Sequence, residues 1–197
     1  MIIEDLLISF GAETKEYKTE DIIFREGEFS MFYYQVEEGQ VKLNNYTESG
    51  KEFIQNIFSS GQSFGESLLF VDRPYPMNAI AMVDSIILRL PKSRFMDLIH
   101  KNQEVSLDVY KCLAERMYYR YMMLYNLSVQ KPVLKLKQLL DYLKSYYEDK
   151  SPYSFQVPMT RQQLASLTGL RVETVIRAIK SMEKDKILKI ENRKIMY

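Results

Sequence analysis

The stretch from Met159 to Glu183, MTRQQLASLTGLRVETVIRAIKSME, holds the residues whose types and spacing could do chemistry. Glu173, Thr174, Arg177 and Lys180 recur there at helical spacing, so that they could project together into the major groove of a duplex. That requires a rod held at both ends, and the neighbouring residues supply the fittings. Thr160 is a natural helix N-cap, and Gln163 three residues on completes a capping box. Leu164, Ala165 and Leu167 make one short apolar face, and Gly169 permits the left-handed residue that ends a first helix. A second helix is expected from Arg171 or Val172, with Val175, Ile176, Ile179 and Met182 turned inward. Two short helices joined by a glycine turn form a helix-turn-helix signature. The plainer reading of the same residues is a small helical hairpin with solvated charges.

The surroundings favour the first reading. ILKIENRKIMY (187–197) reads as two short strands about a polar turn, a wing beside the helices, from which Lys189, Arg193 and Lys194 could reach phosphate. Residues 131–197 carry 14 Lys and Arg against 7 Asp and Glu, a net +7, whereas residues 1–130 carry 13 against 19, a net −6. A basic third joined to an acidic two-thirds points to a polyanion as the partner of the basic part. Lys131-Pro132 marks the boundary, because proline fits the first turn of a new helix and biases the residue before it away from the α conformation. An amphipathic helix is expected over Pro132–Glu148, with Val133, Leu136, Leu139, Leu140 and Leu143 inward, then a loop over 148–154 and a short strand within 154–159.

Upstream of the boundary a long helix is expected from Gln103 to about Gln130, after a short one over Lys92–Lys101. Leu107, Tyr110, Ala114, Met117, Tyr121, Leu124 and Ser128 recur along it at heptad-like spacing, a pattern that suits a two-helix dimer seam. Leu113, Met123 and Leu127 lie on a different part of the helix, which gives it a second apolar face for its own domain. Ordinary packing on the same chain is the alternative for either stripe. From about Tyr17 to Leu90, short apolar runs are broken every 8–12 positions by turn residues, with EEGQ (37–40) and ESGK (48–51) as hairpin turns. That spacing argues for an antiparallel sandwich or barrel. Asp72-Arg73-Pro74-Tyr75-Pro76 interrupts it and is expected as a loop. The fold class is therefore α+β: a β-roll over 1–102, a dimerisation helix over 103–130 and a winged helix-turn-helix over 131–197.

Composition excludes several functions. With one cysteine, Cys112, among 197 residues, the chain holds no internal disulfide, no multi-cysteine zinc site and no cysteine-ligated iron–sulfur cluster. Cys112 is expected as a small packed thiol rather than a redox switch, and the single His100 as a surface or capping residue rather than a haem ligand. No metal site is expected. No apolar run approaches the roughly 20 residues that span a bilayer, and the acidic start MIIEDLLISF is unlike a signal peptide, so a reduced cytoplasmic protein without a membrane partner is expected. A lone histidine leaves no Ser/His/Asp or His-rich metal constellation, no Walker-type loop occurs, and Glu37-Glu38 make a poor acid–base pair, so the chain is not expected to be an enzyme.

TRQQLASLTGLRVETVIRAIKSME resembles the helix-turn-helix of the cyclic-AMP receptor/FNR superfamily of bacterial transcription regulators. The resemblance covers almost the whole chain: a cyclic-nucleotide-binding-like jelly roll, a long dimerisation helix, a hinge and a winged helix. It implies a homodimer on double-stranded DNA, at an inverted repeat, with RNA polymerase as a further partner. Glu173 and Arg177 would read bases, supported by Gln162, Arg171, Thr174 and Lys180, while Thr160 and Arg161 hold phosphates. Arginine suits a bidentate contact with guanine, and glutamate accepts from cytosine N4. VETVIR is closer to the FNR-like variant, which implies a TGA-like core in each half-site.

The sensor half departs from the family. Phe64-Gly65-Glu66-Ser67 resembles the start of the phosphate-binding cassette, with Glu66 placed to accept from a ribose hydroxyl, but Met77-Asn78 stands where the cassette supplies Arg-Ser. A cyclic phosphate then loses a charge-assisted contact worth about 1.5–3 kcal/mol. Arg120 and Tyr121 fall near where the cyclic-AMP receptor offers small hydroxyls to adenine, and Arg73 is on the wrong side of Pro74 to substitute. Cyclic AMP is therefore not expected as the effector, no other cofactor is implied, and any small-molecule effector is of unknown identity. The competing reading is a ligand-binding module acting on a protein partner.

Overall fold

The computed structural model describes residues 2–197, which separate into one compact unit ending at Met117 and another over Tyr118–Tyr197. The division falls within the long helix rather than at its ends, so the helix expected as a segment of its own is shared between the two units.

The first unit is built on two four-stranded antiparallel sheets. One joins β1 (Glu13–Tyr17), β8 (Ser85–Pro91), β3 (Phe32–Glu38) and β6 (Ser63–Phe64) in that order; the other joins β2 (Ile22–Phe24), β7 (Asn78–Ala81), β4 (Gln40–Tyr46) and β5 (Glu52–Ser59). Between them Phe24, Tyr34, Val36, Leu43, Phe58, Phe64 and Ile87 form a buried core. Side chains alternate across a strand, so the first sheet presents its other face as well. There Tyr33, Leu88 and Leu90 pack beneath α1 (Glu4–Ser9), α2 (Lys92–Lys101) and the start of α3 (Gln103–Ser128), through Leu7, Phe95, Leu98, Val105 and Val109. The expected hairpin at 48–51 occurs between β4 and β5, but the turn at 37–40 instead carries the chain from one sheet to the other, because β3 and β4 do not pair; Gly39 makes that turn with φ 95°. A Cβ at Gly39 would lie 2.2 Å from Ser85 Oγ, so only glycine fits.

Two elements escaped the sequence pattern. Helix α1 falls in a segment read only for its charge. Strand β1, ETKEY, buries Tyr17 alone and shows no apolar run, yet it pairs along its whole length with β8. Backbone pairing at a sheet edge does not need an apolar face.

In the second unit α4 (Pro132–Ser145), α5 (Arg161–Thr168) and α6 (Val172–Lys184) pack on one another around Leu136, Leu139, Leu164, Val175, Ile179 and Met182. Strands β9 (Lys189–Glu191) and β10 (Lys194–Met196) form the wing; the short strand expected within 154–159 is only an isolated bridge from Gln156 to Met196, flanked by backbone bonds of Phe155 and Val157 to β10 and Tyr197. Pro132 occupies the first turn of α4 and Lys131 is extended, as its place before proline requires. Helix α4 ends at Ser145, short of the expected Glu148, because the Lys150 ammonium donates to the carbonyls of Lys144 and Ser145 (2.7 Å each) and closes the helix. Val133 and Leu143 are half-buried rather than inward.

The corner between α3 and α4 is pinned by polar contacts. Asn126 Nδ2 donates to Lys135 O (2.8 Å) and Gln138 Oε1 (3.1 Å), and Lys135 Nζ donates to Leu127 O (3.2 Å). Burial holds the Lys135 amine below its ordinary pKa.

Candidate nucleic-acid interface and sensor core

The helix-turn-helix is held by local chemistry. Thr160 Oγ1 accepts from Gln163 N (3.1 Å) while Gln163 Oε1 accepts from Thr160 N (2.7 Å), so the capping box closes in both directions. Gly169 ends α5 in the left-handed region, φ 70°. The residues Asn192 and Arg193 both take positive φ (48° and 66°), the geometry of a tight two-residue hairpin, and tie β9 to β10. Arg161 Nη1 donates to Arg193 O (3.2 Å), which links the start of α5 to the wing turn.

Helix α6 has two sharply different faces. Val175, Ala178, Ile179 and Met182 are buried, and Ile176, expected inward, is half-buried, with Ala178 taking the central place in the packing. On the other side Glu173, Arg177 and Lys180 are exposed and Thr174 is half-exposed. None of the three charged groups enters an ion pair among the described residues. Gln162 and Arg171 are exposed beside them, Arg161 is partly buried, and Lys189, Arg193 and Lys194 are exposed on the wing. The site residues expected on this unit therefore have an open, cationic setting on an apolar scaffold.

Two family models match this chain: a cyclic nucleotide-binding domain over residues 14–102 and a Crp-like helix-turn-helix domain over residues 135–197. The chain belongs to the CRP/FNR family of transcription regulators. It is 26% identical over 184 residues to the cAMP-activated global transcriptional regulator CRP of Haemophilus influenzae, covering 92% of this chain and 82% of that protein. It is 25% identical over 175 residues to the fumarate and nitrate reduction regulatory protein of Vibrio cholerae, covering 88% and 70% respectively. Among solved structures, CooA (an N127L/S128L mutant) from Carboxydothermus hydrogenoformans superposes with TM-score 0.83 at 18% identity over 100% of this chain and 87% of that one. FixK2 from Bradyrhizobium japonicum gives 0.78 at 20% identity, covering 94% and 91%. These last two establish the fold.

Within this CRP/FNR regulator the β-roll interior is closed on itself. Met77 is buried among Phe24, Phe64 and Tyr75, and Asn78 accepts from Glu26 N (3.0 Å) and contacts Asn44 O (3.4 Å). Tyr75, from the proline-flanked segment read as a loop, inserts its ring against Phe24 with centroids 3.7 Å apart and 9° between planes. Its hydroxyl donates to Ser30 Oγ (3.0 Å), and burial pushes its pKa up to about 12. Gly65, φ 74°, sits beneath this stack: a Cβ there would lie 3.2 Å from Phe24 and 3.3 Å from Tyr75.

Glu66 is 1% exposed and pairs with Arg116 of α3. Arg116 also donates to Ser63 O and Ser63 Oγ (3.2 Å for the latter) and lies 5.0 Å from the Phe58 ring. Arg120 and Tyr121, expected on this pocket, lie outside it: Arg120 is exposed and Tyr121 is 63% exposed. Val105, Val109, Cys112 and Arg116 follow one stripe that meets the β-roll; Arg120 lies one turn beyond Arg116, and Tyr121 lies on another face of the helix. Ser67 is exposed rather than part of the pocket, and Arg73 is exposed as well. A spacing of 4 back from Arg120 leads to Arg116. No cluster of three or more metal-ligating side chains occurs among the described residues, and no helix is long and apolar enough to cross a membrane.

Proposed function

We propose that this regulator acts as a homodimer that reads an inverted repeat with TGA-like half-sites through Glu173 and Arg177, independently of cyclic AMP and of any iron–sulfur cluster. The observation that carries the DNA reading is the α6 face, where Glu173, Arg177 and Lys180 stand exposed over a packed apolar back. Thr160, Arg161, Gln162, Arg171 and the wing bases are the phosphate contacts of the same surface, and Thr174 and Lys180 flank the reading pair. The dimer rests on α3: Leu107, Tyr110, Met117, Tyr121 and Leu124 are between 56% and 69% exposed, and Ala114 and Ser128 are exposed on the same stripe. An apolar stripe of that length in contact with water calls for a second helix.

Independence from cyclic AMP is supported by Met77 in the core, by the Phe24–Tyr75 stack over Gly65 and by the engagement of Glu66 with Arg116. A nucleotide would have to displace packed aromatic rings and break a buried ion pair, and it would meet no arginine at position 77. The reading carries no resident cofactor, a cytoplasmic site of action and RNA polymerase as the partner beyond DNA.

Fluorescence anisotropy with a duplex carrying the inverted repeat tests the reading. Tight binding that falls steeply with added salt is the expected result, since neutralised phosphates release counterions. Absence of binding to any duplex overturns it. Light scattering should give twice the chain mass, and calorimetric titration with cyclic AMP should show no heat of binding; micromolar affinity overturns the sensor reading.

A further inference from the structure

Helix α6 carries six apolar side chains, and four of them, Val175, Ala178, Ile179 and Met182, are buried. The other two, Val172 and Ile176, are only half-buried. They stand four residues apart, so they share one shoulder of the helix. At about 100° per residue, Ile176 falls roughly 60° to one side of Glu173 and Arg177 roughly 40° to the other. The apolar shoulder therefore borders the exposed row of Glu173, Arg177 and Lys180. Both residues are β-branched, and in a helix such side chains hold essentially one χ1 rotamer, so their methyl groups are fixed in place. Single exposed apolar residues are ordinary on a protein surface; a pair on one shoulder beside the reading residues is a more particular arrangement.

The charged row reads bases only by their hydrogen-bonding edges: Glu173 offers acceptors, and Arg177 and Lys180 offer donors. The group that marks thymine in the major groove is its C5-methyl, which takes an apolar contact. We propose that Ile176, extended by Val172 one turn before it, reads the C5-methyl of a thymine in or beside each TGA-like core. This rests on the reading of α6 as the helix in the major groove, and adds to it a base that none of the charged groups can identify. The N-terminal part of such a helix meets the base edges, and Val172 and Ile176 lie in the first two turns of α6. A half-buried isoleucine is held by what covers it and keeps apolar surface for a methyl to cover, and removing both from water drives the contact. Thr174, half-exposed as well, lies on the opposite shoulder, roughly 100° from Glu173, so substitution separates its contribution from that of Ile176.

Uracil is the probe, because it keeps the pairing and the O4 acceptor of thymine and lacks only the methyl. Anisotropy titrations use the full-length chain and the inverted TGA-like repeat flanked by A·T pairs. Deoxyuridine replaces thymine at one position of both half-sites at a time, on either strand. The parent should lose about fourfold in affinity per half-site, or about fifteenfold in all, at one position and be indifferent at the others. Ile176→Ala, with native circular dichroism, should bind the thymine and uracil forms of that duplex within roughly twofold of each other. Ile176→Val, which keeps a β-branched apolar side chain, should retain most of the discrimination. A parent that binds the repeat tightly and ignores uracil at every position overturns the proposal and leaves the DNA reading standing. So does an Ile176→Ala variant that keeps the parent's uracil penalty, which would make Ile176 a packing residue alone. A parent that binds no duplex removes the DNA reading and this proposal together.

Discussion

Charged side chains are treated in opposite ways by α6 and by the β-roll interior. On α6, Glu173, Arg177 and Lys180 stand in solvent with no ion-pair partner among the described residues, over a back of Val175, Ala178, Ile179 and Met182. In the β-roll, Glu66 is buried and its charge is answered by Arg116 of the same chain, beneath a ceiling of packed aromatic rings. The difference teaches where each unit meets the outside. A charge kept in water on a rigid rod is available to an external polyanion. A charge neutralised internally is spent on holding its own unit together.

The contrast can be broken first at its buried end. Glu66→Ala leaves Arg116 largely buried without its carboxylate and should lower unfolding free energy by about 3 kcal/mol, read as a reduced urea midpoint. A loss below about 1 kcal/mol would mean that the pair is solvated and the interior open. At the exposed end the pattern should reverse. Arg177→Ala should leave stability within about 0.5 kcal/mol of the parent. It should also weaken specific duplex binding by about 1–3 kcal/mol per half-site, read by anisotropy. Thr160→Ala should cost about 1 kcal/mol of stability through the opened capping box, read by thermal melting, and should weaken DNA binding only as far as α5 loosens.

The smallest effect concerns Lys135. Its folded pKa is depressed by burial while the unfolded chain keeps the ordinary value of 10.5. Between those two values the unfolded state binds more protons, so stability should rise with pH through that alkaline window. Lys135→Met should abolish the rise. Parallel pH–stability curves for the two chains would show that Lys135 is solvated and that the corner at Ser128–Pro132 is held by Asn126 alone.

What could be read from the amino-acid order was whatever local chemistry decides. Thr160 with Gln163, Gly169 and Lys131-Pro132 act within a few residues, and each lies where its residue type favours. The alternation of short apolar runs likewise announced a two-sheet β-unit. Pairings across the chain were hidden. Arg116 meets Glu66 from 50 positions away, while Arg120 lies one turn further along α3 and Tyr121 on another face of it. Tyr75 lies between two prolines, a loop composition, yet its ring fills the core because flanking prolines constrain backbone rather than side chain. Strand β1 was invisible because its pairing with β8 is made by backbone groups, which every residue type carries. Ser67 shows the same limit: its place in a familiar run of residues did not determine which way it faces.

The central claim is that Arg177 reads a guanine. The most direct measurement is a cycle of affinities in which the parent and Arg177→Ala are each titrated with the inverted TGA-like repeat and with the same duplex carrying adenine in place of that guanine. The account predicts that the parent loses about 1–3 kcal/mol per half-site on the base change and that the variant is indifferent to it. An equal penalty for both proteins would contradict it, because the discrimination would then arise from some other group.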